Sequence, residues 1–144
     1  MPDQTSELVV SLLQAAALVR DQAYAPYSGY HVGAALLDSN GRVWTGTNVE
    51  NVSYGATMCA ERVAFFKMAS AGAREIDTLA VVTADGGTPC GMCLQVLLEF
   101  APDPAKVKII VANEAKQIRE FSLAELIPFG FSSDKVNRTE PKGS

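Results

Sequence analysis

Three cysteines and one glutamate form the part of this sequence with the clearest chemical potential. Cys90 and Cys93 stand three residues apart in "TPCGMC", and Cys59 is the third cysteine of the 144-residue chain. An odd count does not fit a closed set of disulfides, and a structural zinc site takes four ligands. Metal binding, redox chemistry and core packing are therefore all open on the cysteine count alone.

The spacing of these residues suits an open metal site. If each cysteine group starts a helix, Cys90 and Cys93 share one face of a first turn, and the helix N-terminus favours thiolates. With Cys59 they supply three ligands of a tetrahedral zinc ion, and water can take the fourth position. Glu61 is then placed to carry protons without binding the metal. A redox motif would leave Cys59 without a role, so the pattern favours zinc.

Charge is the weak point of such a site. Three thiolates against a divalent ion leave a net charge of about −1, which lowers the ability of zinc to acidify water. We expect compensation from the two helix N-termini and from Arg62, which is close in sequence to Cys59. Arg62 is predicted to donate hydrogen bonds to one or two of the cysteine sulfurs.

The residue pattern predicts an α/β domain that places both cysteine groups at helix starts. Helical spacing predicts a first helix from Ser6, acting as its cap, to about Ala23. "HVGAALLD" and "RVWTGTNV", joined by the turn "DSNG", predict a hairpin. Later segments predict helices in "CAERVAFFKMASAG", "CGMCLQVLLEFA" and "SLAELIP", and strands in "DTLAVVTA" and "KVKIIVAN". This alternation favours helices layered on a largely buried sheet, with ligand loops at the strand ends.

Composition limits the classes of protein and partner. A chain of 144 residues with 48% hydrophobic and 19% charged residues fits one domain, 1–144, with a flexible polar tail from about residue 132. The net charge of −4 disfavours a polynucleotide or an anionic membrane as the partner. The sequence shows neither a secretory signal pattern nor an apolar run of membrane-spanning length, so we expect a cytoplasmic protein with reduced thiols.

Several blocks of the sequence resemble the small zinc-dependent, homotetrameric cytidine deaminases. The resemblance rests on "CAE" followed by "PCGMC", and on "APYSGYHVGAALL", "GTNVENVSYGATMCAERVA", "PCGMCLQVLLEF" and "ELIPFGF", in the family's order between residues 25 and 131. It implies a three-layer α/β/α fold with a central mixed sheet of about five strands, and one Zn²⁺ per subunit. It also implies hydrolytic deamination of cytidine and deoxycytidine in pyrimidine salvage, by a homotetramer with active sites near subunit interfaces.

The same resemblance implies a role for each matching residue. Cys59, Cys90 and Cys93 match the zinc ligands, and Glu61 matches the proton shuttle. The resemblance implies that Asn48 and Glu50 bind the ribose hydroxyls and that Tyr30 lies against the base or sugar. Val52 is a further implied substrate contact, and the backbone at Ala60 or at Thr88–Pro89 is implied to recognise the exocyclic amine. Tyr54 and Phe131 match positions that reach a neighbouring subunit's site in family members.

Three departures from the family pattern lie close to these positions. Leu94 follows Cys93 where the family often has arginine, which removes a second possible cation from the thiolates. Tyr30 replaces the usual phenylalanine, and its hydroxyl needs a hydrogen-bond partner. "GFSSD" replaces the usual Phe-Gly-Pro near Phe131, so the C-terminal wall of the site is expected to differ.

Other functions fit parts of the pattern. A related nucleoside, such as blasticidin S or a modified cytidine, is the alternative substrate, although "NVEN" favours an ordinary ribose. A deaminase that edits polynucleotides would need a basic strip to follow a phosphate backbone, and the sequence has none. A non-catalytic zinc module would need a fourth protein ligand, and Glu61 is the only evident candidate.

Overall fold

The computed structural model describes residues 4–132, so the predicted tail beyond Ser132 lies outside the described residues. The elements, in chain order, are α1 (Gln4–Arg20), β1 (Gly33–Asp38), β2 (Val43–Thr47), α2 (Ala60–Ser70), β3 (Ile76–Val82), α3 (Gly91–Leu98), β4 (Lys108–Ala112), β5 (Ile118–Ser122) and α4 (Leu123–Leu126). Two single 3₁₀ turns occupy Tyr54–Ala56 and Pro104–Lys106.

The strands form one mixed sheet of five strands in the order β2-β1-β3-β4-β5. β3 and β4 are parallel, with Thr78 opposite Lys108, and every other neighbouring pair is antiparallel. A parallel pair requires a crossover connection, and α3 provides it between β3 and β4. The prediction of a mixed sheet of about five strands is confirmed.

Helices cover both faces of this sheet. Along β1, Ala35 and Leu37 belong to the core cluster shared with α1, whereas Ala34 and Leu36 belong to the cluster shared with α2 and α3. Successive residues of a strand point to opposite faces, so α1 lies on one face and α2 and α3 lie on the other. β1 is buried along its whole length, as expected of a strand covered on both sides. The three-layer prediction is therefore confirmed.

A close backbone contact places α2 against β2. A Cβ atom on Gly46 would lie 2.6 Å from both the carbonyl oxygen of Ala60 and the amide nitrogen of Ala64. Only a residue without a side chain allows this approach. The contact fixes the first turn of α2, directly after Cys59.

The turn between β1 and β2 is organised by a buried carboxylate. Asp38 is 1% exposed and accepts hydrogen bonds from the amides of Asn40 and Arg42 and from the indole nitrogen of Trp44, at 2.9, 3.0 and 2.9 Å. Burial raises the pKa of Asp38, but these hydrogen bonds outweigh it and hold the pKa below its ordinary value. Gly41 supplies the positive φ of 87° that the predicted "DSNG" turn requires.

Several helices begin or end at other residues than the sequence predicts. α1 begins at Gln4, so Ser6 lies within the helix instead of capping it, and α1 ends at Arg20 because a turn follows. α2 ends at Ser70, and Gly72 follows it with a φ of 95°. β5 was not among the predicted segments: it is an exposed to half-buried strand at the edge of the sheet. Within residues 4–132, none of the helices is both long and apolar enough to cross a membrane.

Candidate active site

The fold brings the three cysteine sulfurs together. Cys59 is the residue before α2, Cys90 is the residue before α3, and Cys93 lies in the first turn of α3. The Sγ atoms of Cys59 and Cys90 are 3.9 Å apart and those of Cys90 and Cys93 are 3.5 Å apart, with all three within 4.8 Å of one another. Thiolates at the usual zinc–sulfur distance of about 2.3 Å stand roughly 3.8 Å apart in a tetrahedral site. The geometry and the soft donor set therefore fit zinc, and helix starts at two ligands favour the thiolate forms.

The three thiols differ in their electrostatic surroundings. A hydrogen bond from Cys93, together with the charge of Arg62, outweighs burial and lowers the pKa of Cys59 to about 5. The pKa of Cys93 is raised because this thiol donates to Cys59 and is buried. Cys59 thus becomes a thiolate more readily than Cys93, and it is the sulfur that accepts from the arginine.

Arg62 lies in the first turn of α2, and its guanidinium reaches back to the sulfur of Cys59, which precedes the helix. Its Nη2 is 3.4 Å from the Sγ of Cys59, and this hydrogen bond raises the pKa of the guanidinium. Among the described residues, the buried Nε of Arg62 has no hydrogen-bond partner. The guanidinium is therefore positioned to offset negative charge on the sulfurs.

Glu61 is the buried carboxyl group beside the sulfurs. It is 5% exposed and lines the same cavity as Cys59 and Cys90. Burial, with a contribution from the negative charge of Cys59, raises the pKa of Glu61 to about 7. A carboxyl group with this pKa is suited to accept and return a proton near neutral pH.

A cavity of about 270 Å³ extends from these residues. Its wall contains two of the sulfurs and the carboxyl group of Glu61, together with polar side chains that can bind a sugar and a few apolar side chains. Its lining comprises Ser28, Tyr30, Val32, Asn48, Glu50, Thr57, Met58, Cys59, Glu61, Val81, Thr83, Gly87, Thr88 and Cys90. Since β3 ends at Val82, the cavity lies outside the carboxyl end of a parallel strand, where α/β sheets usually bind ligands.

Asn48 and Glu50 both line the cavity, and both already hold its wall together. Asn48 is buried; its Oδ1 accepts from the amide of Val32 at 2.9 Å, and its Nδ2 donates to the carbonyl of Tyr30 at 2.7 Å. This leaves one N–H and one acceptor position of the amide for a ligand.

Glu50 accepts from the backbone amides of Tyr27 and Ser28 at 2.9 and 3.1 Å, and from the hydroxyl of Ser28. The bond from the Ser28 hydroxyl is the main reason that the pKa of Glu50 is lowered. Glu50 is thus an ionised acceptor for hydroxyl groups.

Two of the departures from the family pattern now have a structural explanation. The hydroxyl of Tyr30 donates to Oδ1 of Asp85 at 2.7 Å, which supplies the partner that the sequence required. Leu94 is 7% exposed and belongs to the apolar core cluster with Ala64 and Leu97. Position 94, where the family resemblance leads to an expectation of arginine, is therefore a core position in this chain.

Four predicted substrate contacts lie outside the lining of the cavity. Val52, Tyr54 and Phe131 are 79%, 74% and 62% exposed, and Ala60 is fully buried in the hydrophobic core. The backbone of Phe131 is held by the side chain of Gln95, through bonds of 2.8 and 3.0 Å. Roles of Tyr54 and Phe131 at a neighbouring subunit stay predictions.

Sequence reasoning missed Ser28, Thr83 and Asp85. Ser28 is the hydrogen-bond donor to Glu50, and Thr83 and Asp85 organise the loop before Cys90. The available signal was local: "PYSGY" and "TADGGTP" combine glycine and proline with short polar side chains that bond to nearby backbone. That pattern predicts turns, but not which cavity the turns border.

A larger groove of about 420 Å³ lies elsewhere, between α1 and the ends of β3, β4 and β5. Its lining is mainly apolar, with Val10, Leu13, Val82 and Ile118 among its residues. It contains none of the cysteines and no part of Glu61, so the chemistry belongs to the smaller cavity.

Comparison with known proteins agrees with this geometry. The family model described as the cytidine and deoxycytidylate deaminase zinc-binding region matches residues 6–111. A cytidine deaminase of Halalkalibacterium halodurans is 44% identical over 128 residues, which cover 88% of this chain and 96% of the relative.

Solved structures give the same result. The crystal structure of cytidine deaminase from Burkholderia pseudomallei has a TM-score of 0.79 and 41% identity, and the match covers 85% of this chain and 98% of that one. For cytidine deaminase from Mycobacterium tuberculosis the TM-score is 0.70 at 39% identity, with 91% and 99% covered. The likeness therefore extends over nearly the whole length of these proteins.

Proposed function

Because this chain belongs to the cytidine and deoxycytidylate deaminase family, we propose that it hydrolyses cytidine and deoxycytidine to uridine and deoxyuridine, with release of ammonia. One observation carries the proposal: three sulfurs lie within 4.8 Å of one another, and two of them, those of Cys59 and Cys90, border the same cavity as the buried carboxyl group of Glu61 and the polar pair Asn48 and Glu50. Metal ligands, a proton carrier and acceptors for a sugar are the groups that hydrolysis of a nucleoside amine requires.

Cys59, Cys90 and Cys93 are the proposed ligands of one Zn²⁺ per chain. When bound, zinc supplies a fourth coordination position at which water becomes more acidic. Three sulfurs from the chain leave that position free. Arg62 donates to Cys59 and lowers the negative charge that the thiolates place on the site.

Glu61 moves the protons in this proposal. Its carboxylate takes a proton from the attacking water and delivers it to N3 of the pyrimidine, which makes C4 more electrophilic. After the water oxygen has bonded to C4, the same carboxylate takes the second proton from that oxygen and gives it to the amine, so that the C4–N bond breaks, ammonia leaves and the oxygen remains as the C4 carbonyl of the product. The burial of Glu61 keeps bulk water from competing for these protons.

The polar wall of the cavity holds the sugar. Glu50 accepts from ribose hydroxyls, and the unused N–H of Asn48 donates to one of them. The ring of Tyr30 borders the base or the sugar. Val52 and the backbone at Ala60 are proposed as further substrate contacts.

Exposed aromatic side chains support assembly into a homotetramer. Tyr54, Phe129 and Phe131 are 74%, 97% and 62% exposed in the single chain, and large exposed aromatic groups are typical of interface residues. We propose that Tyr54 and Phe131 complete the site of a neighbouring subunit. The need for three reduced thiols favours a reducing compartment such as the cytoplasm, where pyrimidine salvage would use the activity.

Ammonia release from cytidine, deoxycytidine and blasticidin S, measured at equal concentrations with zinc-loaded protein, tests the substrate. We expect rapid release from both pyrimidine nucleosides and little from the antibiotic, because Asn48 and Glu50 suit ribose hydroxyls. Release from blasticidin S with none from cytidine would refute the proposal.

A further inference from the structure

The loop between β3 and Cys90 leads to the most exposed of the three cysteines, and hydrogen bonds fix the conformation of its first residues. The hydroxyl of Thr83 accepts from the amides of Gly86 and Gly87 at 2.7 and 3.2 Å. Oδ1 of Asp85 accepts from the same Gly87 amide at 3.1 Å and from the Thr83 hydroxyl at 3.2 Å. These bonds close the loop on itself, three residues before Cys90.

The same carboxylate oxygen also accepts a bond from a distant part of the chain. Tyr30, which is 55 positions away from Asp85, donates its hydroxyl to Oδ1 at 2.7 Å. This bond is the first cause of the lowered pKa of Asp85, so the carboxylate is ionised and the bond is charge-assisted. Tyr30 thereby links the segment before β1 to the loop between β3 and Cys90.

The backbone of Tyr30 is fixed by the opposite wall of the cavity. Its carbonyl accepts from Asn48, and its amide donates to the hydroxyl of Ser28 at 3.0 Å. Ser28 in turn donates to Glu50. The backbone of Tyr30 is therefore bonded to the proposed sugar-binding wall, and its hydroxyl is bonded to the loop between β3 and Cys90.

We propose that Tyr30 and Asp85 form a positioning pair that sets the distance between the sugar-binding wall and the Cys90 loop, and so keeps Cys90 in place as a ligand. Asp85 lies outside the lining of the cavity, so it acts through Tyr30 and the loop. A phenylalanine at position 30 would keep the ring and lose the link. The inference rests on the proposed zinc site, because it assigns the pair a task at one of its ligands.

Two consequences follow from this connection. Without the bond, the loop is free to move Cys90 away from Cys59 and Cys93, so bound zinc should leave faster. Once Asp85 is removed, its bond to Tyr30 is already lost, so removing the Tyr30 hydroxyl as well should add little to the rate of zinc release.

The experiment measures zinc release from zinc-loaded protein into an excess of a chromogenic chelator, together with kcat and KM for cytidine. The variants are Tyr30→Phe, Asp85→Ala and the double variant. Tyr24→Phe is the matched control, because it removes a tyrosine hydroxyl outside the cavity. Circular dichroism verifies folding; if Asp85→Ala does not fold, Asp85→Asn replaces it in both the single and the double variant.

We expect each single variant to release zinc about three- to tenfold faster and to lose kcat by a similar factor, less than the full loss of a charge-assisted bond, because the bond acts on Cys90 only through the loop. The double variant should match Asp85→Ala, which also loses the bonds to Gly87 and Thr83, and Tyr24→Phe should match the unchanged chain. Zinc release at the unchanged rate in both single variants, or effects that multiply in the double variant, would overturn the proposal. An unchanged chain that holds no zinc would instead refute the proposed function.

Discussion

The guanidinium of Arg62 lies 3.4 Å from the sulfur of Cys59, measured from Nη2 to Sγ. Both residues belong to the start of α2, where Cys59 precedes the helix and Arg62 occupies its first turn. A fixed cation beside one thiolate offsets part of the charge that three thiolates bring to a divalent ion. The proximity of the two residues in the sequence predicts this contact, and the structure confirms it.

Replacement of Arg62 by glutamine should weaken zinc binding and lower activity. The remaining amide cannot offset thiolate charge, so water at the metal is less acidic, and the acid limb of the pH–rate profile should move to higher pH. Loss of a charge-assisted bond of about 1.5–3 kcal/mol corresponds to roughly a 10- to 150-fold weaker zinc affinity. Competition with a calibrated chelator measures the affinity.

Arg74→Gln is the control for this change. It also removes one positive charge, but Arg74 follows α2 and bonds the carbonyl groups of Ala69 and Ala73. Its zinc affinity and pH–rate profile should not change. If Arg62→Gln behaved in the same way as Arg74→Gln, charge compensation by Arg62 would be wrong.

Substitution of Gly46 by alanine should destabilise the protein by about 1–3 kcal/mol, the usual cost of overpacking. The added methyl group would meet the backbone of Ala60 and Ala64 at 2.6 Å, so the first turn of α2 must shift. Urea unfolding measures the loss. Gly55→Ala provides the comparison, because a Cβ there meets nothing within 4 Å; equal stability of the two variants would contradict the packing argument.

The stability of the hairpin turn should depend on pH through Asp38. The folded chain holds the pKa of this carboxyl group below its ordinary value of about 3.9, so the unfolded chain binds the proton more tightly. The stabilisation is therefore fully present above about pH 5, and it is lost as the pH falls through the lower folded pKa. Asp38→Asn lacks this contribution.

The free energies of unfolding of the two proteins should differ by a constant amount above about pH 5 and should converge as the pH falls from about 4 through the lower folded pKa of Asp38. Urea unfolding at several pH values, with an excess of chelator in every sample, separates this effect from loss of metal. A difference that stayed constant from pH 7 to pH 3 would show that the charge of Asp38 does not stabilise the turn.

The parts of the site that sequence could predict are those with a strong local signature. Cys59, Cys90 and Cys93 precede or begin segments that the sequence predicts as helices, and their number and spacing predict that they share a metal site. Glu61 follows from its spacing to Cys59. These are local relations, and the structure places all four residues in one small region.

The remaining parts depend on contacts between distant segments. Leu94 was expected to matter for charge, but burial in the core depends on how α3 packs on the sheet. Asp85 carries no local signal of its bond to Tyr30, because 55 positions separate them. The sequence does not predict β5, because this exposed edge strand has neither a run of apolar residues nor a regular alternation of apolar and polar residues.

The most direct measurement of the central claim is the zinc content and cytidine turnover of Glu61→Gln. Glutamine keeps the size of the side chain but cannot carry the proton, and the metal ligands remain. We predict about one zinc ion per chain, as in the unchanged protein, and a turnover lowered by about 10²- to 10⁴-fold, the range for loss of a general acid–base. Turnover close to that of the unchanged chain, or loss of the zinc, would contradict the account of three thiolate ligands and a separate proton carrier.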